Sequence, residues 1–442
     1  MTEYPVVVIG AGPVGLAAAA HLVETGSDVV VLERGATAGS AVAQWNHVRL
    51  FSPWSEVVDP AAARLLEATG WTVPNGDSYA TGREWTERYL VPLAAALGNR
   101  VRTDSEVVGV ARRGRDRVVD AGRDTEPLSV HVRHSDGREE RVLARSVVDA
   151  SGTWESPNPL GSEGVPAIGE TLAARHIDYR VPDLADAQTR AAYAGKHTVI
   201  AGSGHSALTA IIAFAELAAE HTGTTLTWAL RRGVTDTVFG GGAADELAAR
   251  GALGQRAKKA VDDGYLNVVS GFRTETVETD DGRLALVSDK SRRIDGVDRV
   301  VALTGFRPDL SWLSEVRLDL DPTLQAPRFL ATLIDPNIHS CGTVYPHGVD
   351  ELTQPEPGFY LVGMKSYGRA PTFLAMTGYE QVRSIAAELA GDYDGARRVE
   401  LTLPDTGVCG GAGLFDDANA DATAGGGCCG APEPISLGRI NS

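Results

Sequence analysis

Apolar positions along this chain fall into short continuous runs, each closed by glycine. The first, Val6-Val7-Val8-Ile9, has no polar residue among its side chains. A strand of that kind is buried on both faces, as in a parallel sheet covered on each side. It leads into Gly10-Ala11-Gly12-Pro13-Val14-Gly15 and then into the alanine-rich run "LAAAAHLVETG", which predicts a helix. A second apolar run at 28–33 ends on Glu33, 21 positions after Gly12. The pattern then repeats. "HTVIA" from 197 is followed by Gly202-Ser203-Gly204-His205-Ser206-Ala207, a helix to about Glu220 and a strand over 224–232.

Strand, glycine turn, helix and strand in that order predict a dinucleotide-binding crossover. Gly10 permits the tight turn, Gly12 lets backbone approach a pyrophosphate, and Gly15 lets helix and strand pack closely. The pyrophosphate meets the positive end of the helix, and Glu33 is placed to accept hydrogen bonds from ribose hydroxyls. In the second copy Ala207 stands for the third glycine, and the following strand ends on Arg231 and Arg232. Two guanidiniums there suit the 2′-phosphate of NADP, where a carboxylate would suit the free hydroxyl of NAD. Two crossovers imply one tightly held dinucleotide and one that exchanges, the plan of a flavoprotein reduced by a nicotinamide.

Composition narrows the setting. With 442 residues, two domains plus extras are expected. The formal charge of -17 argues against a general nucleic-acid or anionic-membrane binder, and the basic runs 111–117 and 290–295 read as solvated turns. No apolar run reaches the ~18 residues of a membrane span. The N-terminus enters a strand without a secretory leader, so a cytoplasmic, thiol-reducing setting is expected.

From these residues the chain resembles FAD- and NADPH-dependent flavoproteins of the flavin-containing monooxygenase and thioredoxin-reductase type, over roughly residues 5–390. "RSVVDASGTW" (145–154), "VVALTGFRPDL" (300–310) and "GFYLVGMKSYGRAPTFLAMTGYEQV" (358–382) resemble further segments of that family. The resemblance implies an α/β fold with two Rossmann-like domains, the NADPH domain inserted into a discontinuous FAD domain. The expected pieces are an FAD-binding domain at 1–165 and 300–395, an NADPH-binding domain at 166–299 and a flexible cysteine-containing tail at 396–442. Beyond the two glycine motifs, it implies cofactor contacts from Arg34, Trp45, His47, Val107 and Gly152. In the aromatic stretch 44–60, Phe51 and Trp54 are read equally as flavin walls or as core packing.

Three departures stand out. The closing segment of many relatives reads Gly-Asp, but here Met364 follows Gly363, which makes Lys365, Ser366 and Tyr367 candidates for the missing contact. The linker motif of the monooxygenases survives only as Gly169, His176 and Tyr179, with an altered gap. The Cys-x-x-Cys of thioredoxin reductases is absent. Cys341 near His339 and His347 reads as a buried thiol beside loop histidines, with a ligand pair as the alternative.

Three of four cysteines, Cys409, Cys428 and Cys429, lie in the glycine-rich tail. Thiolates are soft ligands, so a mobile tail carrying them is expected to capture a thiophilic ion such as arsenite. A disordered tail with incidental cysteines is the alternative. The leading expectation is an NADPH oxidoreductase that transfers hydride to flavin N5 and is reoxidised by O2. It would oxygenate a soft, metalloid or other nucleophilic small molecule. A thiol or thiophilic-metal reductase and a non-catalytic metalloid-binding flavoprotein are the rivals. A homodimer is expected only by analogy, and no single catalytic side chain is assigned.

Overall fold

The computed structural model describes residues 4–233, 236–240, 248–336, 347–370 and 373–401. Two five-stranded sheets organise it. In the first the order is Phe359–Leu361, Ser146–Asp149, Val6–Ile9, Val29–Leu32 and Val101–Arg102, all parallel. In the second it is Asn267–Val269, Thr225–Ala229, His197–Ala201, Arg299–Ala302 and Ile177–Asp178, again parallel. The first sheet takes strands from both ends of the described chain, and the second lies between them in sequence. This is the α/β arrangement of one dinucleotide unit inserted into another.

The continuous apolar runs have a direct cause: each sheet is covered twice. Val6 and Val8 face a core built on the helices Pro13–Glu24 and Ala375–Ala390. Val7 and Ile9 face the other way, onto the antiparallel strands Ser105–Arg112, Leu128–His134 and Glu139–Ala144. The second unit repeats this. Ile200 and Val301 meet the helix His205–Glu220, while Val199 and Val300 meet the antiparallel strands Thr274–Asp280, Arg283–Ser288 and Arg293–Val297. Alternating side chains therefore go to opposite cores, so both faces of the central strands are buried.

The chain crosses between the units twice, and the crossings lie side by side. Pro157 bridges Phe306 antiparallel, Asn158 N–H donates to the Gly305 carbonyl at 2.9 Å, and Arg307 N–H to that of Ser156 at 2.9 Å. Trp154 stacks on Phe306 with centroids 5.0 Å apart, and the Arg180 guanidinium lies 4.7 Å from the Trp154 ring. No helix among the described residues is long and apolar enough to cross a membrane.

Candidate dinucleotide sites

The first glycine motif makes the tight turn and the close helix packing expected of Gly10 and Gly15. Gly10 has φ +95°, and a Cβ there would lie 2.8 Å from the Ala150 carbonyl oxygen. A Cβ on Gly15 would lie 1.9 Å from the carbonyl oxygen of Gly10. Both glycines are therefore demanded by packing. Gly12 differs, because a Cβ there would meet no protein atom within 4 Å. Gly12 is the N-cap of the helix that starts at Pro13, and no side chain caps it. An uncapped helix start with open space before it is a place where a pyrophosphate can approach backbone.

Glu33 is 8% exposed and already oriented. Its carboxylate accepts Ala11 N–H at 2.7 Å, Gly35 N–H at 2.8 Å and the Ser40 hydroxyl at 2.7 Å. A carboxylate offers about four acceptor sites, so it retains capacity for a ribose hydroxyl. Ser105 N–H donates to the Glu33 carbonyl at 2.8 Å, which brings the strand carrying Val107 to the same edge. Gly152 has φ +69° and, like Gly12, open space where a Cβ would be. Arg34 points elsewhere in this arrangement, with Nη2 2.9 Å from the carboxylate of Glu155 at the first crossing.

The aromatic stretch is split by the fold. Trp54 is 2% exposed and belongs to the core, so it is not a free flavin wall. Trp45 packs over Gly82 and lies 6.3 Å from Trp85. Phe51 reaches the other unit and lies 5.1 Å from the His205 ring. The Nε2 of His47 is buried without a hydrogen-bond partner. It lies in the turn that follows the helix Ser40–Ala43, whose N-cap Gly39 has its N–H bonded to the Ala11 carbonyl at 2.9 Å. A buried polar atom left unpaired fits a site completed by a bound group. These residues fit an FAD.

The closing segment supplies a correction. Gly363, at φ +65°, places its Cβ position 3.3 Å from a Val14 methyl, and its N–H donates to Gln381 Oε1 at 2.7 Å. Lys365, Ser366 and Tyr367 were the candidates to replace the missing acid, but all three are buried and engaged by protein groups. Lys365 Nζ lies 2.7 Å from Asp149 Oδ2, donates to Ser151 Oγ at 3.1 Å and stands 4.2 Å from the Trp312 ring. Ser366 donates to the Gly363 carbonyl at 2.7 Å. Tyr367 meets Phe373 edge-on at 5.0 Å, and burial raises its hydroxyl pKa well above the ordinary value. Met364 is the exposed member of this turn, at 39%. The buried pair of Lys365 with Asp149 ties the closing turn to the Ser151-Gly152 turn, so Lys365 works through these turns. Asp149 went unassigned in the sequence, although a lone charge ending the apolar strand "SVVD" was the available signal.

In the second motif Gly202 has φ +127°, and its Cβ would lie 2.2 Å from the Leu303 carbonyl oxygen. Gly204 is the uncapped helix start, with no protein atom within 4 Å of its Cβ position. Ser203, Gly204 and Ser206 are exposed. The strand Thr225–Ala229 stops short of the predicted 232, and Arg231 and Arg232 lie beyond its end. Arg231 is exposed, with Nη1 3.4 Å from the Ser162 carbonyl. Arg232 is half-buried, and its carbonyl accepts Gly271 N–H at 3.0 Å.

The remnant linker motif is dispersed. Tyr179 donates to Glu170 at 2.7 Å, His176 Nδ1 faces the Asp298 carbonyl at 3.3 Å, and Gly169 packs against Val277. Glu170, almost wholly buried, also accepts the N–H groups of Leu160, Gly161 and Ala167. His347 is buried, its Nε2 2.8 Å from Gln381 Nε2, while Cys341 and His339 lie outside the described residues. So do Cys409, Cys428 and Cys429. Among the described residues no three His, Cys, Asp or Glu side chains are grouped to hold a metal ion.

Known proteins share this construction. The solved structure of bacillithiol disulfide reductase Bdr (YpdA) from Bacillus cereus is similar at 18% identity, covering 88% of this chain and 99% of that one, with a TM-score of 0.64. Thioredoxin reductase from T. acidophilum is similar at 16% identity, covering 88% and 98%, with a TM-score of 0.53. A flavin-containing monooxygenase from Stenotrophomonas maltophilia is similar at 22% identity, covering 89% and 100%, with a TM-score of 0.52. At these identities the likeness speaks for the fold. No curated protein sequence matches. The model of one family, pyridine nucleotide-disulphide oxidoreductase, matches residues 7–329. With two open dinucleotide cradles inside that span, the chain belongs to this family, an FAD-dependent oxidoreductase that draws on NAD(P)H.

Proposed function

We propose that the chain is an NADPH-dependent flavoprotein monooxygenase that oxygenates a soft nucleophile, with trivalent metalloids such as arsenite as the substrate class. The observation that carries the reading is the contrast between its crossovers. One ends in a buried, pre-oriented acid; the other has an exposed helix start and a pair of arginines beyond the end of its second strand. An FAD held there would supply a flavin able to accept hydride from NADPH and return the electrons to dioxygen. The chain's own part is placement. The backbone from Gly10 to Gly15 cradles the pyrophosphate, and Glu33 holds the ribose of the resident dinucleotide. Gly202 to Ser206 receive the pyrophosphate of the exchanging one, while Arg231 and Arg232 select its 2′-phosphate. The dioxygen route is favoured by a sequence with no Cys-x-x-Cys to relay electrons.

A second reading, reduction of a disulfide or thiophilic ion, is favoured by Cys409, Cys428 and Cys429 and by the likeness to two disulfide reductases. One experiment separates them. The yellow protein is mixed anaerobically with NADPH, and O2 is added with or without arsenite. Bleaching of the flavin followed by arsenite-coupled O2 consumption supports monooxygenation. Flavin reoxidation by mercuric ion or a disulfide without O2 supports the second reading. Failure to bleach overturns both.

A further inference from the structure

We infer that Arg292 is a third guanidinium of the site for the coenzyme's 2′-phosphate, and so a determinant of NADPH over NADH. The inference rests on the NADPH reading above and adds a residue from a separate element. The basic run containing Arg292 reads in the sequence as a solvated turn; its position in the fold suggests more.

The end of the Thr225–Ala229 strand is lined by residues 270–272. Leu230 N–H donates to the Val269 carbonyl at 2.9 Å, Gly271 N–H to that of Arg232 at 3.0 Å, and Phe272 N–H to that of Leu230 at 2.9 Å. Arg292 arrives there from the turn between Arg283–Ser288 and Arg293–Val297. Its Nη1 donates to the Ser270 carbonyl at 2.8 Å and to that of Gly271 at 3.4 Å. Its guanidinium carbon stands 5.9 Å from the Phe272 ring. The root of the side chain is fixed as well, since Arg292 N–H donates to Ser288 Oγ at 3.1 Å and Ser288 N–H to the Arg292 carbonyl at 2.9 Å. The guanidinium is thus held over the turn that is hydrogen-bonded to Arg232.

Two charged neighbours of Arg292 in sequence are engaged elsewhere. Arg293, the neighbouring base, is neutralised by Glu278 at 2.9 Å and Asp295 at 3.0 Å. Asp289 pairs with Arg273 at 3.7 Å. The hydrogen bonds of the Arg292 guanidinium go to the carbonyl oxygens of Ser270 and Gly271, which leave its positive charge in place. With Nη1 committed, the Nε and Nη2 edge of this exposed side chain keeps N–H groups for an oxyanion.

The test uses full-length holoprotein and steady-state flavin turnover with NADPH and with NADH. Arg292→Ala is expected to raise the NADPH KM about tenfold or more, the loss of one charge-assisted contact, at unchanged kcat. The NADH KM stays at the parent's value. The inhibition constant of 2′,5′-ADP rises in step with the NADPH KM, and Arg292→Lys restores part of both. The inference is overturned if the parent prefers NADPH and Arg292→Ala keeps the parent's NADPH-to-NADH ratio, or if both KM values rise together. A parent with no preference overturns the NADPH reading itself.

Discussion

The two crossovers share one backbone plan and differ in what surrounds it. Around the first, the helix Pro13–Glu24 is packed so closely that a Cβ on Gly378 would lie 2.6 Å from a Val14 methyl. His21 on its last turn is bonded to buried Asp59 at 3.0 Å, and Glu33, just past the second strand, is fixed by three donors. Around the second, the helix start is exposed at Ser203, Gly204 and Ser206, and the strand end carries bases. A glycine motif therefore says that a dinucleotide binds. Burial around it says whether the dinucleotide stays.

Four results would break or sharpen this comparison. Gly15→Ala should do most damage, because its Cβ would overlap the Gly10 carbonyl at 1.9 Å; loss of soluble, FAD-bearing protein on expression is the expected outcome. Lys365→Met should follow, since it strands the buried Asp149 carboxylate at a cost of about 3–5 kcal/mol in denaturant unfolding. Adding Asp149→Asn should recover part of that loss, and a single variant as stable as the parent would show that the pair does not hold the turns. Gly12→Ala should fold with the parent's melting temperature, because nothing in the protein opposes its Cβ. Its FAD affinity, by fluorescence titration, should fall by about 1–3 kcal/mol, and normal affinity would remove the first crossover as the FAD site.

The smallest effect concerns pH. Burial alone would raise the Glu356 carboxyl, but hydrogen bonds from Arg123 and Arg112, each at 2.6 Å, outweigh it and hold its pKa below the usual range. A depressed carboxylate contributes stability above its unfolded pKa, and that contribution is lost as pH falls through the folded value. This triad ties the antiparallel strands of the first unit to its closing segment. The nucleotide unit's corresponding strands carry exposed pairs such as Arg293 with Glu278, whose acid sensitivity should be slight. Acidification below about pH 4.5 should therefore lower the urea midpoint read by flavin fluorescence before it lowers 2′,5′-ADP binding. Simultaneous loss would remove the distinction.

The parts legible in the sequence were those written locally. Strand, turn and helix at each crossover follow from neighbouring residues, and Gly10, Gly12, Gly15 and Glu33 stand where their spacing predicted. The antiparallel strands escaped, although "SVHVRHSDGREERVLA" carries an alternating pattern around a Ser-Asp-Gly turn in which Gly137 has φ +85°. Long-range pairings left no local trace. Lys365 finds Ser151 across 214 positions, so its burial could not be foreseen from a turn that reads as cofactor-facing. Arg292 reads as surface charge for the same reason: only the fold brings 292 to 271. Trp54 and Phe51, three residues apart, went to a core and to the opposite unit, a division that aromatic content alone cannot make.

The paired crossings have a consequence for how such a molecule can change. With Asn158 bonded to Gly305 and Ser156 to Arg307, the chain leaves and re-enters the FAD unit at points about 5 Å apart. The intervening 146 residues, 159–304, form a cassette whose two ends already meet. Lineages could exchange that cassette, or trim it to a tight hairpin, by one recombination event on each side, with neither core redrawn.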